Sequence, residues 1–207
     1  YLENRVVLKV INLASKQTRT VLPAEWNYSY ADGDQNYRWS PDGKWFLVKY
    51  GFVRLFTPQV GLISSDGKGK VINLTKSGFS NRDARWGMDG TMMYYRCTRE
   101  GAADLAGSPV TTDVYGMFFT RDAYDRFGLS KADYDLLKEQ EDKAKEEKDK
   151  TEKEKTKDAK AKDAEVKKEE PKKDVVIEFE GLENRKARFT INSANLADMA
   201  LTKTGDK

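Results

Sequence analysis

The chain offers few residues that could make or break bonds, and each has a plainer role beside it. It contains no histidine, which removes the usual base of a serine or cysteine triad together with the commonest zinc ligand. Ser65 and Lys68 have the Ser-x-x-Lys spacing of a serine nucleophile with a lysine base. That dyad needs a helix to bring both side chains to one face, and the intervening Asp66 and Gly67 spell a turn. Glu178 and Glu180 lie two apart, so a strand would put both carboxylates on one face, where such a pair can serve as acid and base; a solvated strand face is the plainer reading. Cys97 stands beside Arg96 and Arg99, which could lower a thiol pKa, but no base accompanies it. Asp32-Gly33-Asp34 could open a calcium loop, yet the further ligands and closing glutamate are missing, which favours a polar turn. GKGK at 67–70 is too short to cradle phosphate and reads as a hairpin turn. The expectation is a chain with no catalytic, cofactor-binding or metal-binding residue of its own.

The elements carrying these residues are organised around RWSPDGKWF at 38–46. Pro41, Asp42 and Gly43 suit a tight reversal, because Pro presets its φ, Asp bonds the backbone ahead of it and Gly accepts a positive φ. Trp39 leads in, and Trp45, Phe46, Leu47 and Val48 lead out as a strand. The frame returns as RWGMDGTMM at 85–93, with Arg, Trp, Asp and Gly at identical offsets and Asp42 and Asp89 47 residues apart. Met88 in place of Pro41 is expected to weaken the second turn without changing its class. A repeat of roughly 40–50 residues built on small β meanders is the signature of a β-propeller, whose sheets bury their faces only against neighbouring blades. The fold class read from this is all-β, a partial β-propeller of WD40-like or TolB-like blades. The VINL identity between 10–13 and 71–74 is discounted, because the first precedes its turn and the second follows one. Strands are expected over 5–12, 19–22, 53–56, 60–64, 71–74, 113–123, 175–179 and 187–191. A third turn is expected at 204–207. The Trp and Tyr residues could line a ligand funnel, but in such repeats they more often fill the space between blades.

Charge is concentrated in one place. Residues 138–173 carry 14 Lys and 13 Asp or Glu, 27 charges in 36 positions. The remaining 171 residues carry an ordinary charge density of about a quarter. The net charge of +3 is small and the signs interleave, so no nucleic-acid footprint or anionic-membrane patch emerges, and no apolar run could span a bilayer. A single cysteine excludes an internal disulfide. Ser130 and Asp133 form a capping box, with Leu129 placed to staple onto Tyr134. A helix is expected from there, running out into a solvated helix or a disordered tether closed by Pro171. Domains are expected at 1–126 (blades of a first propeller), 127–173 (capped helix and Lys/Glu tether) and 174–207 (a further blade or second propeller), with the insertion at a seam between β units. The chain opens at Tyr1 with neither an initiator Met nor a signal peptide, and holds material for three to four blades. Propellers close with four to eight, so a segment of a longer protein is expected.

Four stretches also carry a resemblance: RWSPDGKWF, GLISSDGKGKVINLT at 61–75, RWGMDG, and DVYGMFFTRDAYDRFGLSKADYDLLKE at 113–139. The last is the most specific, together with the charged tether and VVIEFEGLENRKARFT after it. They resemble the propeller region of tricorn-like serine peptidases, particularly the bacterial homologues of Bacteroidetes, over most of the chain. The resemblance implies one or two propellers ahead of a PDZ-like module and a tail-specific protease core that holds the catalytic serine. None of that core is in this chain, so no catalytic residue is carried over. It further implies a noncatalytic segment that filters or channels peptides or unfolded polypeptides. Its partners would be the remaining blades and the protease core, with homo-oligomers possible in principle, in a periplasmic setting or, as in archaeal relatives, an intracellular one. The alternatives are a TolB-like scaffold for protein–protein binding in the cell envelope and a propeller joined to an α/β-hydrolase.

Overall fold

Period-two alternation over Trp45–Tyr50 sends Phe46, Val48 and Tyr50 to one side of a strand and Leu47 to the other, and all four are buried. A strand buried on both faces must lie between two layers. It does so in the computed structural model, which describes residues 1–29, 31–33, 35–51, 57–102, 110–155 and 174–202. Contacts divide the chain into two units, 1–124 with 172–207, and 125–171.

The first unit is built from three antiparallel sheets, as an all-β reading requires. Sheet 1 has the order β1 (Leu2–Glu3), β2 (Val7–Ile11), β3 (Thr18–Leu22). Sheet 2 runs β4 (Tyr37–Trp39), β5 (Trp45–Tyr50), β6 (Gln59–Ser64), β7 (Ile72–Asn73). Sheet 3 contains β8 (Asn81–Gly87), β9 (Met92–Cys97), β10 (Asp113–Phe118) and β11 (Lys186–Arg188), each paired to the one before it. Leu8, Val21, Leu22, Phe46, Val48 and Ile63 fill the space between sheets 1 and 2. Leu47, Leu62, Met93, Met117 and Phe119 fill that between sheets 2 and 3. Each such side chain contributes about 1.5–3 kcal/mol relative to exposure.

The sequence repeat survives as a repeat of register. Trp39 pairs with Phe46 and Arg38 with Leu47 in sheet 2, while Trp86 pairs with Met93 and Arg85 with Tyr94 in sheet 3, the same offsets 47 residues on. Facing repeats as well: Phe46 and Met93 both point to the preceding sheet, and Leu47 and Tyr94 both point away from it. The two VINL stretches differ as the sequence indicates, since β2 leads into its hairpin and β7 follows one.

The second turn does change class. In the first, Gly43 N donates to Ser40 O at 3.0 Å, and among 40–43 only Gly43 has a positive φ, 74°. In the second, closure moves one residue on, from Thr91 N to Met88 O at 3.2 Å, and Met88, Asp89 and Gly90 are consecutively left-handed at φ 48°, 52° and 93°. Met at position 88 has no ring to hold its φ negative, and Gly87 has no side chain to do what Ser40 does.

The expected seam is also corrected. Phe118 N donates to Arg185 O at 2.9 Å, and Tyr115, Gly116 and Met117 pair with Arg188, Ala187 and Lys186. The chain after the tether therefore supplies the fourth strand of the sheet it had left, and does not start a new β unit there. Gly116 makes the join possible, because a Cβ there would meet the Phe189 ring at 2.2 Å. The strand expected over 113–123 stops at Phe118, where Thr120 Oγ1 accepts Ala123 N at 3.1 Å and starts helix α1 (Arg121–Phe127). Residues 175–179 belong to no ladder; Glu178 N donates to Phe119 O at 2.9 Å. The strand expected over 187–191 is confined to β11. Met92, Tyr94 and Phe118 on the far face of sheet 3 are covered by Tyr124, Phe189, Met199 and Leu201. The strand expected at 53–56 and the turn at 204–207 lie outside the described residues.

In the second unit Ser130 caps the helix: its Oγ accepts Asp133 N at 3.2 Å and donates to Asp133 Oδ2 at 2.6 Å. Helix α2 spans Lys131–Lys155. Glu139 pairs with Lys143 at 2.8 Å, whereas Glu141 turns back to Arg126.

Candidate functional site

Residues with potential chemistry are scattered over the first unit and are occupied in holding it together. Ser65 is buried; its hydroxyl donates to Gly43 O at 2.9 Å, and its carbonyl accepts Arg19 Nε at 2.9 Å. Asp66 and Gly67 do form the turn, with Asp66 Oδ1 accepting Lys68 N at 2.8 Å. Glu178 and Glu180 do not share a strand face, because no strand forms there. Glu178 Oε2 accepts Arg121 N at 2.9 Å instead. Cys97 lies between sheets 2 and 3, where burial pushes its thiol pKa up against the opposing pull of Arg99. Arg99 itself lies over the Phe79 ring, 5.8 Å from its centre. Asp32 is exposed and paired with Arg5 at 2.8 Å; Asp34 lies outside the described residues. Aromatic rings fill inter-sheet space: Trp26 and Tyr37 pack on the first core, Trp86 and Tyr115 on the second. Among the described residues no three His, Cys, Asp or Glu side chains converge as a metal site, and no helix is long and apolar enough to cross a membrane.

Four polar clusters carry more information than any of these. Gln59, buried, accepts Thr75 Oγ1 at 2.8 Å and Ser77 N at 3.1 Å, and donates to Phe79 O at 2.8 Å, so it ties sheet 2 to the connection leading into β8. Asp113 is fully buried and accepts Arg188 Nη2 at 2.8 Å, Thr190 Oγ1 at 2.7 Å and Ser193 Oγ at 2.7 Å. Burial opposes its charge, but the bonds from Thr190, Ser193 and Arg188 outweigh that and hold its carboxyl below the usual range. Arg185, also buried, donates to the carbonyls of Phe118, Phe119, Glu178 and Glu180, clamping both arms of the insertion where they leave and rejoin the sheet.

The fourth cluster is on β8, the edge strand of its sheet. A bulge between Arg82 and Arg85 leaves Asp83 at φ 57°. Asp83 Oδ2 accepts Arg96 Nε at 2.6 Å as well as Arg96 Nη2, and Oδ1 accepts Asn36 Nδ2 at 2.5 Å. Arg82 stands directly opposite Arg96 in register, and its Nε is shielded from water without an acceptor. None of the four clusters was legible in the sequence, because a lone Gln, Asp or Arg has no local signature. The one available sign was Arg82 and Arg85 beside an aspartate in a segment that otherwise reads as strand.

No protein-family model matches the chain, and no curated protein matches it.

Proposed function

We propose that this chain is a noncatalytic β-propeller segment of a tricorn-like serine peptidase, and that it binds and channels extended polypeptide toward a protease core elsewhere in the parent protein. The observation that carries the reading is the repeat in register and facing 47 residues apart, with sheets 2 and 3 each presenting equivalent positions to the sheet before it. Its connections support it too: each sheet is an up-down meander, and the chain passes from the last strand of sheet 2, β7, into the edge strand of sheet 3, β8. The candidate nucleophiles are spent on structural bonds, which fits a binding role, and the resemblance supplies the peptidase and a periplasmic setting.

The test is fluorescence anisotropy of the purified chain with a labelled, reduced and carboxymethylated polypeptide, followed by electrophoresis of that polypeptide. Binding with the polypeptide recovered intact is expected. No binding above that of a folded control protein, or cleavage abolished by Ser65→Ala, overturns the reading.

A further inference from the structure

β7 is the outer edge of sheet 2, with no strand beyond it among the described residues. Leu74 N donates to Val60 O at 3.0 Å. By the alternation of an antiparallel ladder, the N–H and C=O of the preceding residue, Asn73, therefore point away from β6. The Asn73 side chain shapes the chain just beyond: its Oδ1 accepts Thr75 N at 3.1 Å and Lys76 N at 2.9 Å, and Lys76 takes a left-handed φ of 41°.

Beside this edge lies a solvent-open cleft of about 220 Å³ bounded by Ile72, Leu74, Phe179 and Leu182, with Lys76 and Glu183 as its charged residues. Leu74 and Leu182 are buried and Phe179 is 47% exposed, so the cleft has an apolar floor and a wall that an incoming group can reach. Lys76 is exposed and in no ion pair among the described residues. Lys186 reaches the same place, its Nζ donating to Thr75 O at 3.2 Å. Burial lowers the Lys186 pKa, and Arg99 and Lys76 act in the same direction, against the pull of Glu183 and Cys97. Cations thus outnumber Glu183 where β7 ends, and the complementary charge on an incoming group is negative.

We propose that this edge takes the C-terminal residue of an extended polypeptide: its backbone pairs with Asn73, its apolar side chain enters the cleft against Phe179 and Leu182, and its terminal carboxylate meets the Lys76 ammonium. A strand added to an open edge gains affinity through its backbone and specificity through a pocket for one side chain. An ammonium at the mouth of that pocket adds a charge-assisted hydrogen bond to a carboxylate. Only a C-terminal residue carries an apolar side chain and a carboxylate on the same Cα. This inference rests on the polypeptide-binding reading above and names the part of the polypeptide that is recognised.

The experiment titrates three labelled peptides of one β-prone sequence, by anisotropy, into the 207-residue chain and its Lys76→Gln and Phe179→Ser variants. One peptide ends in Leu with a free carboxylate, one in Leu amide, and one in Ser with a free carboxylate. The first is expected to bind about tenfold or more tighter than either of the others, the range of a charge-assisted hydrogen bond and of a buried leucine side chain. Lys76→Gln removes the preference for acid over amide and keeps that for Leu over Ser. Phe179→Ser weakens the preference for Leu over Ser and keeps that for acid over amide. Both side chains are exposed and neither belongs to a core cluster, so neither substitution removes a core contact.

Equal binding of acid and amide overturns the carboxylate assignment, and equal binding of the Leu and Ser peptides overturns the cleft. Preferences that survive both substitutions put the site elsewhere and overturn the inference as a whole. The carboxymethylated polypeptide is titrated alongside. If it binds and no peptide does, the inference falls and the polypeptide-binding reading stands; if neither binds, both fall.

Discussion

The turns at 40–43 and 87–90 share their Arg-Trp lead and their Asp-Gly, yet they are held by different means. The first adds side chains to its backbone closure: Ser40 Oγ accepts Trp45 N at 2.9 Å, and Asp42 Oδ1 accepts Lys44 N at 3.0 Å and the Ser40 hydroxyl. Asp42 Oδ2 also accepts Val175 N at 2.9 Å, so this turn anchors the chain returning from the insertion. The second is closed by its backbone and Thr91, with Asp89 exposed. Its tryptophan does more instead. Trp86 packs on Phe119 between sheets and donates its indole N–H to Arg38 O at 3.1 Å, while Trp39 is 47% exposed beside three-stranded sheet 1. Identical residues at identical offsets preserve the direction and register of the hairpin, while the load shifts from polar turn residues in one copy to the aromatic in the other.

The largest effect that separates the copies is expected from the tryptophans. Trp86→Ala should destabilise the first unit by about 3 kcal/mol, the lower end for a large aromatic, and Trp39→Ala by about 1 kcal/mol. Urea unfolding midpoints at constant m-value measure both, and equal losses would mean that the two rings carry the same load.

The aspartates come next, in the opposite order. Asp42→Asn should cost about 1 kcal/mol at neutral pH, because it removes the acceptor of Val175 N, whereas Asp89→Asn should stay within about 0.5 kcal/mol. Burial opposes the charge on Asp42, but the bonds from Ser40, Val175 and Lys44 outweigh it and leave its folded pKa below the ordinary value. A depressed carboxyl stabilises above its unfolded pKa and loses that contribution as pH falls through the folded one. The gap between natural chain and Asp42→Asn should therefore close below about pH 4. A gap that widens on acidification would contradict the assignment.

The smallest effect concerns backbone strain. Met88→Gly should raise stability by about 0.5–1 kcal/mol by relieving a left-handed bulky residue, while Gly43→Ala in the other copy should lower it by about 1 kcal/mol. Differential scanning calorimetry of the two variants would show opposite shifts in melting temperature, and shifts of the same sign would refute the contrast.

The features legible beforehand were those written in neighbouring residues. The Pro-Asp-Gly reversal, the alternation of β5, the serine cap before α2 and the 47-residue repeat all rest on local φ preference and side-chain period. The end of β10 was legible only in part: Thr120 is a good cap, but the aromatic run of 115–119 reads equally well as a longer strand. Polar sites were the least legible. Asp113 gains its meaning from Arg188, Thr190 and Ser193, more than 70 positions away, and Asp83 gains its meaning from Asn36 on a neighbouring sheet and Arg96 on the next strand.

By itself, then, the amino-acid sequence determined that this protein would form short antiparallel strands in repeated hairpins and that a capped, charged helix would interrupt them, because turn chemistry and side-chain alternation act within a few residues. Only the tertiary structure decided that the chain after the helix returns to complete the same sheet, and that Asp113 and Arg185 lock it there. Partners across an interruption of more than 60 residues are chosen by which edge is open and which carbonyls lack donors, and no local pattern encodes either.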